Sequence, residues 1–163
     1  MKQTRMSVLA GLIRKNGWTR GVELGVWEGA LFGYLLAAFP DLHLTGVDRW
    51  LAIGDYAGKD MASAEAKARK ILAAHPGRAQ LLKEDTVVAS LGIPDESLDF
   101  VFIDASHDAE SVTADIRAWF PRVRSGGALT GHDANWPSVQ AALDEQLPGW
   151  QLLGGNVWIY TCA

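Results

Sequence analysis

The sequence has a single cysteine, Cys162, and no second thiol to pair with it. An internal disulfide framework and a cysteine-built zinc site are therefore excluded, and a reducing, cytoplasmic setting is expected. There is no basic excess either: 15 Lys and Arg stand against 19 Asp and Glu, a net charge of −4. A broad nucleic-acid footprint needs the opposite balance, so nucleic acid is not an expected partner. No apolar run approaches the roughly 20 residues of a membrane span. The basic start Met1-Lys2-Gln3-Thr4-Arg5 is not followed by a long apolar segment, so no secretory signal is expected. Repeats, linkers and low-complexity segments are missing too. What remains is a chain of 163 residues, 48% hydrophobic and 21% charged. That suits one ordinary globular domain over residues 1–163. Seven tryptophans are many for this length, and most are expected in a core or a pocket.

Hydrophobic spacing alternates between helical and extended. Residues 4–15 place Met6, Leu9, Ala10, Leu12 and Ile13 at helical intervals, with Arg14 and Lys15 in the last turn and Gly17 as a stop. A strand over 21–24 follows, then a helix over 30–39 ended by Pro40. Residues 43–47 read as a second strand ending at Asp48, and 49–60 as a loop. An alanine-rich helix covers 63–74 and breaks at Pro76-Gly77. Strands are expected at 79–83, 98–103 and 127–130, with helices at 111–120 and 138–147. Residues 150–153 and 157–160 flank Gly154-Gly155-Asn156 as a hairpin. This order predicts an α/β, Rossmann-like doubly wound fold with a mostly parallel sheet and a terminal antiparallel strand.

The most informative stretch is RGVELGVWEG, residues 20–29. A strand, a glycine turn and a helix in that order form a nucleotide-type binding loop. Dinucleotide sites put a second glycine where Trp27 stands, so that backbone can approach a pyrophosphate. Here a bulky indole sits between Gly25 and Gly29, and Glu23 and Glu28 add negative charge. Phosphate would be repelled and a cation attracted. S-adenosylmethionine meets that description, with an ammonium and a sulfonium and no phosphate.

In open parallel sheets the ligand lies beyond the carboxyl ends of the strands. Asp48 ends the second strand about 25 residues after the loop, where an acid commonly holds ribose hydroxyls. A carboxylate accepts from both hydroxyls of a diol at once. Asp85, with Thr86 beside it, is placed either to accept an adenine amine or to cap a helix opening at Val87. Trp50 is placed either over an adenine face or in the packing. Asp104 ends a buried strand and His107 follows three residues later, an acid and an imidazole suited to taking a proton from a hydroxyl. The other reading of His107 is a helix cap. His132 and Asp133 end the fifth strand, and with Asp104 they offer ligands to a hard divalent ion such as Mg2+, or a polar pocket rim.

These pieces together resemble the class I S-adenosylmethionine-dependent methyltransferases, in the branch that methylates small-molecule and sugar hydroxyls. The matching segments are VELGVWEG (22–29), LTGVD (44–48), LLKEDT (81–86), LDFVFIDASHDAESVTADIRAWFPRVRSGGALTGHD (98–133) and VWIY (157–160). They cover almost the whole chain in family order, and 98–133 is the most specific. The resemblance implies a seven-stranded sheet with its last strand reversed. It implies that Glu23, Gly25 and Gly29 shape the methionine end of the site, that Asp48 binds ribose, and that Asp85 and Thr86 bind adenine; Trp27 and Trp50 are candidate cofactor contacts from their positions in the sequence alone. Asp104 would sit beside the sulfonium and the acceptor, with His107 as general base. Such relatives bind magnesium through an acidic pair that reads His132-Asp133 here, leaving Asp104 and Asp133 as the metal ligands. The expected partner is a small-molecule acceptor. The acceptor side is lean, with only the first helix, 49–62 and 131–138 to enclose it, so a second subunit of a homo-oligomer is one way to complete it. Two rival readings stay open: a cofactor-binding accessory module without turnover, and a nicotinamide dehydrogenase, against which Trp27 speaks.

Overall fold

The computed structural model describes residues 3–163, the side chain of Asp55 excepted; Met1 and Lys2 of the basic pentad lie outside the described residues. Helix α1 (Arg5–Asn16) opens with a capping box between Thr4 and Ser7 and closes on Gly17 in the left-handed region. It leads into β1 (Arg20–Leu24), α2 (Ala30–Ala38) and β2 (His43–Asp48). After a 3-10 turn at Gly54–Tyr56 come α3 (Met61–Ala73), β3 (Ala79–Lys83), α4 (Thr86–Ser90) and β4 (Leu98–Ile103). The chain ends with α5 (Ala109–Trp119), β5 (Val123–Gly131), α6 (Pro137–Gln146), β6 (Gln151–Leu152) and β7 (Trp158–Thr161).

The seven strands form one sheet in the order β3-β2-β1-β4-β5-β7-β6. The pairings from β3 across to β5 are parallel, whereas β7 runs antiparallel to both its neighbours. The seven-stranded sheet with a reversed last strand is thus as the sequence leads one to expect. Strand order reverses between β1 and β4, so the crevice for a ligand opens at their carboxyl ends.

Alternation along β4 shows how the sheet is covered. Phe100 and Phe102 pack with Leu9, Ile13, Leu35 and Ala68 of α1, α2 and α3 on one face. Val101 and Ile103 pack with Val112, Trp119 and Leu143 of α5 and α6 on the other. A strand apolar at every position after Asp99 is what burial on both faces requires.

Three local differences from the sequence reading have physical causes. Asp85 does cap a helix: its carboxylate accepts from the N–H groups of Val87 and Val88 at 3.0 and 3.3 Å, and α4 is too short to show periodicity. Strand β5 begins at Val123 rather than 127, because its polar first half pairs through a register shift opposite Leu98 and Phe100. Helix α3 starts two residues early, where Asp60 accepts from the Ser63 N–H at 2.9 Å.

Candidate active site

The crevice holds a cavity of about 620 Å3. Gly25, Asp48 and Thr86 line it from β1, β2 and α4; His107, Trp136 and Ser138 line it from beyond β4 and β5; Arg49, Leu51, Ile53 and Tyr56 close it from the 49–60 loop. A smaller adjoining cavity is lined by Asp104, His107, His132 and Asp133.

Gly25 is at φ +86, and a Cβ there would come within 2.1 Å of the Asp104 carbonyl oxygen. Only glycine lets the loop after β1 close against β4, where Asp104 N–H donates to the Leu24 carbonyl at 2.9 Å. Glu23 beneath it is 2% exposed, and its Oε2 has no hydrogen-bond partner. Burial first, then the negative charges of Asp104 and Asp48, push its carboxyl well above the usual range, with Arg5 pulling the other way. A buried carboxylate oxygen without a donor leaves a cost that a cationic ligand group would relieve.

Asp48 uses both oxygens on backbone: Oδ2 accepts from Trp27 N–H at 2.8 Å and Oδ1 from Trp50 N–H at 2.7 Å. Each oxygen has a second lone pair, and the residue lines the cavity. Thr86 is braced from below, where its hydroxyl donates to Asp115 at 2.5 Å and its carbonyl accepts from the Trp119 indole at 3.0 Å.

Beyond β4 and β5 lies a polar cluster. His107 Nε2 is 2.8 Å from Asp133 Oδ2, and its ring stacks on Trp136 with centroids 4.6 Å apart. The Ser138 hydroxyl donates to the His107 carbonyl at 2.5 Å. Asp108, not His107, caps α5, accepting from Ser111 N–H at 2.9 Å. Asp104 Oδ2 meets the Arg5 guanidinium at 3.1 Å, and its Oδ1 lies 3.8 Å from His132 Nδ1. Burial lifts the Asp104 carboxyl to about 6, against the pull of Arg5 and His132.

Several expected ligand contacts fall elsewhere. Trp50, expected over an adenine face, is 4% exposed and donates its indole N–H to the Trp27 carbonyl at 2.8 Å; Leu51 and Ile53 take the cavity wall instead. Trp27 does not line the cavity. Glu28 turns away to Lys67 at 2.7 Å, so the loop's negative charge toward the site is that of Glu23. Gly29 faces α3, where a Cβ would lie 2.8 Å from Ile71 Cδ1, and it serves packing. Asp85 is engaged as a cap and by Arg49 at 3.5 Å. Arg5 and Arg49 were not foreseen from the sequence: Arg49 directly follows Asp48 at the end of β2 and lines the cavity, whereas Arg5 reaches Asp104 only through the fold.

Asp104, His107 and Asp133 have ligand atoms within 4.8 Å of one another, close enough for a metal ion. Magnesium asks for near-octahedral oxygen ligation. Here both oxygens of Asp104 face Arg5 and His132, and those of Asp133 face His107 and His132, the last at 3.1 Å. The group supplies two carboxylate oxygens beside one imidazole nitrogen, and Arg5 already lies 3.1 Å from Asp104 Oδ2, so these residues do not suit magnesium's preference for oxygen ligands.

The family model described as a methyltransferase domain matches residues 22–134. No match to the chain is found among curated proteins. Solved structures share its fold. One is a caffeoyl-CoA O-methyltransferase candidate from Staphylococcus aureus, 15% identical, with TM-score 0.74 over 100% of this chain and 85% of that one. A second is CalS11, a TDP-rhamnose 3'-O-methyltransferase of calicheamicin biosynthesis, 16% identical, with TM-score 0.72 over 96% and 80%. A third is the S-adenosylhomocysteine-bound methyltransferase PaMTH1 of Podospora anserina, 13% identical, with TM-score 0.70 over 98% and 78%. Among the described residues no helix is long and apolar enough to cross a membrane.

Proposed function

Since the chain belongs to the methyltransferase-domain family, we propose that it moves a methyl group from S-adenosylmethionine to a hydroxyl of a small molecule or sugar, with His107 as general base. The observation that carries this reading is the His107–Asp133 pair, 2.8 Å apart, at the edge of the cavity that Gly25, Asp48 and Thr86 also line. The proposed proton acceptor and the residues proposed for the nucleoside share one enclosure.

Each residue has a distinct task. Asp48 accepts from the ribose hydroxyls on the lone pairs that Trp27 and Trp50 leave open. Thr86, held by Asp115, and the apolar side chains Leu51 and Ile53 bracket the adenine. Glu23 and Asp104 draw the positively charged end of the ligand toward β1 and β4. When bound, S-adenosylmethionine supplies an already activated methyl group, which leaves alignment and deprotonation to the protein.

His107 accepts the hydroxyl proton of the acceptor. Asp133 fixes the imidazole orientation and balances the imidazolium that forms, as a carboxylate does beside a catalytic histidine. Trp136, 41% exposed and stacked on His107, gives the acceptor a flat apolar wall. Named sugar and acyl-thioester acceptors belong to the fold neighbours; for this chain the proposal stops at a hydroxylated small molecule. No step is routed through a metal ion.

The test is calorimetry with S-adenosylhomocysteine, followed by transfer of a labelled methyl group across a panel of phenols and sugars. Binding with transfer supports the reading. Binding of NAD in place of S-adenosylhomocysteine overturns it, and cofactor binding with no transfer to any acceptor favours the accessory-module reading.

A further inference from the structure

One face of the sheet changes character halfway along its strands. Arg20 pairs with His43, and Thr45 pairs with both Val22 and Gln80. Strand alternation therefore puts Arg20, Val22 and Leu24 of β1 on one face with His43, Thr45 and Val47 of β2 and with Gln80 and Leu82 of β3. Val22, Leu24, Val47 and Leu82, toward the carboxyl ends, join the core under α5 and α6. The amino half of the same face is polar. A parallel sheet is ordinarily covered on both faces. The cover over β2 here is α4, through Ala89, and its five residues reach only about 7–8 Å. The six residues of β2 span about 20 Å. What α4 leaves open is a cavity of about 440 Å3, at the other end of β1 and β2 from the active-site crevice.

The lining of this cavity carries one sign of charge. Arg20, His43 and Arg78 line it, and among the described residues no carboxylate does, in a chain whose net charge is −4. Arg78 is anchored by carbonyls: it donates to Leu36 at 2.7 Å, Phe39 at 3.2 Å and Leu42 at 3.4 Å. Those neutral acceptors fix the guanidinium without cancelling its charge. Arg20 is exposed, and its side chain has no hydrogen-bond or ion-pair partner among the described residues. The nearby Asp99 takes the Arg20 backbone N–H at 2.8 Å and pairs with Arg124 at 2.8 Å, so its charge is already answered. Thr45, Gln80 and Ser97 add polar groups to the lining, and Ile93 and Pro94 an apolar wall.

We propose that this cavity is a second ligand site, for a small phosphorylated molecule, with Arg20 gripping the phosphate, His43 donating beside it and Arg78 supplying fixed positive charge. A guanidinium fork matches the oxygens of a phosphate, and hydrogen bonds between charged partners are the strong ones. The volume falls within the range of small-molecule sites, about 300–1,000 Å3. Thr45, Gln80 and Ser97 then face the body of the ligand. The site uses none of the residues assigned to methyl transfer and stands apart from that reading. β1 and β2 carry a site at each end.

The test is an amide NMR titration of the whole chain with two probes, glycerol 3-phosphate and glycerol, which differ only in the phosphate. Glycerol 3-phosphate at millimolar concentration is expected to shift the amides of Arg20, His43, Thr45 and Gln80, and glycerol to leave them in place. Arg20→Gln should weaken glycerol 3-phosphate by about 10- to 100-fold, the scale of a lost charge-assisted hydrogen bond. Arg20→Lys, which keeps the charge and loses the fork, should fall between. Arg49→Gln, in the larger cavity at the other end of β2, should change the affinity by less than about twofold. Shifts centred on residues 49–56 and abolished by Arg49→Gln would place phosphate in the larger cavity and overturn the proposal. Equal shifts from both probes, unchanged affinity in Arg20→Gln, or no shift at millimolar glycerol 3-phosphate would each overturn it as well.

Discussion

Asp115 accepts the hydroxyl of Thr86 at 2.5 Å from within the α5 face of the core. The carboxyl is 3% exposed. Burial pushes it up from 3.8 to about 7, against the pull of the Thr86 hydrogen bond. Asp104 is lifted to about 6 in the same way, and Glu23 well above 4.5. A carboxyl whose folded pKa is raised folds best protonated. Its contribution is whole below the unfolded value near 4 and is lost as pH rises through the folded one.

The thermal midpoint is therefore expected to rise as pH falls from about 8 to about 5. Calorimetric scans over that range check it, and a midpoint that falls toward acid contradicts it. For Asp115 the change from 3.8 to about 7 corresponds to about 4 kcal/mol as an upper limit. Asp115→Asn carries no charge at either end of the range, so it should remove much of the slope. An unchanged slope in that variant would assign the effect to Asp104 and Glu23.

His107→Ala should lower turnover by about 10²–10⁴-fold if the imidazole takes the acceptor proton. Affinity for S-adenosylhomocysteine should stay within about twofold, because the residue acts on the acceptor and not on the nucleoside. Asp133→Asn keeps the shape and removes the charge that balances an imidazolium, so a loss of about 10- to 100-fold in kcat with little change in KM is expected. Equal losses in kcat and in cofactor affinity would point to a collapsed pocket.

The strand ends were legible because two periodicities coincide there: an apolar run buried on both faces, and an acid where the run stops. That logic puts Glu23, Asp48 and Asp104 at the carboxyl ends of β1, β2 and β4. It cannot say where a side chain turns once the backbone leaves the strand. Trp27, Trp50 and Gly29 share the loop region and the residue types of a ligand site, yet Trp50 packs inward and Gly29 faces Ile71. Glu28 and Lys67 are far apart in sequence and meet only when α3 docks on α2. Arg5 was invisible for the same reason: its partner Asp104 lies almost a hundred residues away, and helical spacing marks the inward face of α1 rather than its N-terminal corner.

Magnesium should have little effect. Arg5 lies 3.1 Å from Asp104 Oδ2 and His107 Nε2 2.8 Å from Asp133 Oδ2, so each carboxylate is already engaged by a neighbouring side chain. Millimolar magnesium is expected to leave the melting midpoint unchanged, and a chelator to leave turnover within about twofold, where linkage to a bound ion would add a few kcal/mol. A chelator-sensitive rate restored by magnesium would show that the ion does displace these groups. Manganese or zinc, which accept imidazole more readily, form the control for a site that prefers mixed donors.

Asp48 does more for the fold than a ribose acceptor needs to. Trp27 and Trp50, whose N–H groups it accepts, sit at φ +49 and +47, a region that costs a bulky residue of order 1–3 kcal/mol. The carboxylate holds both turns at once, and the Trp50 indole then ties the second turn to the first through the Trp27 carbonyl. Asp48→Ala removes two acceptors and leaves two strained backbone N–H groups unanswered, so a loss of about 2–4 kcal/mol is expected from denaturant unfolding. Trp50, buried in the unaltered chain, should become more accessible, read as a red shift and easier quenching of tryptophan emission. S-adenosylhomocysteine should bind about 10- to 100-fold more weakly, since the loop and the diol contact fail together. Asp48→Asn separates the two: its one remaining carbonyl oxygen can hold one turn, so stability should recover in part while affinity stays low. A stable Asp48→Ala chain with unshifted emission would mean that the two turns are held by their surroundings and not by Asp48.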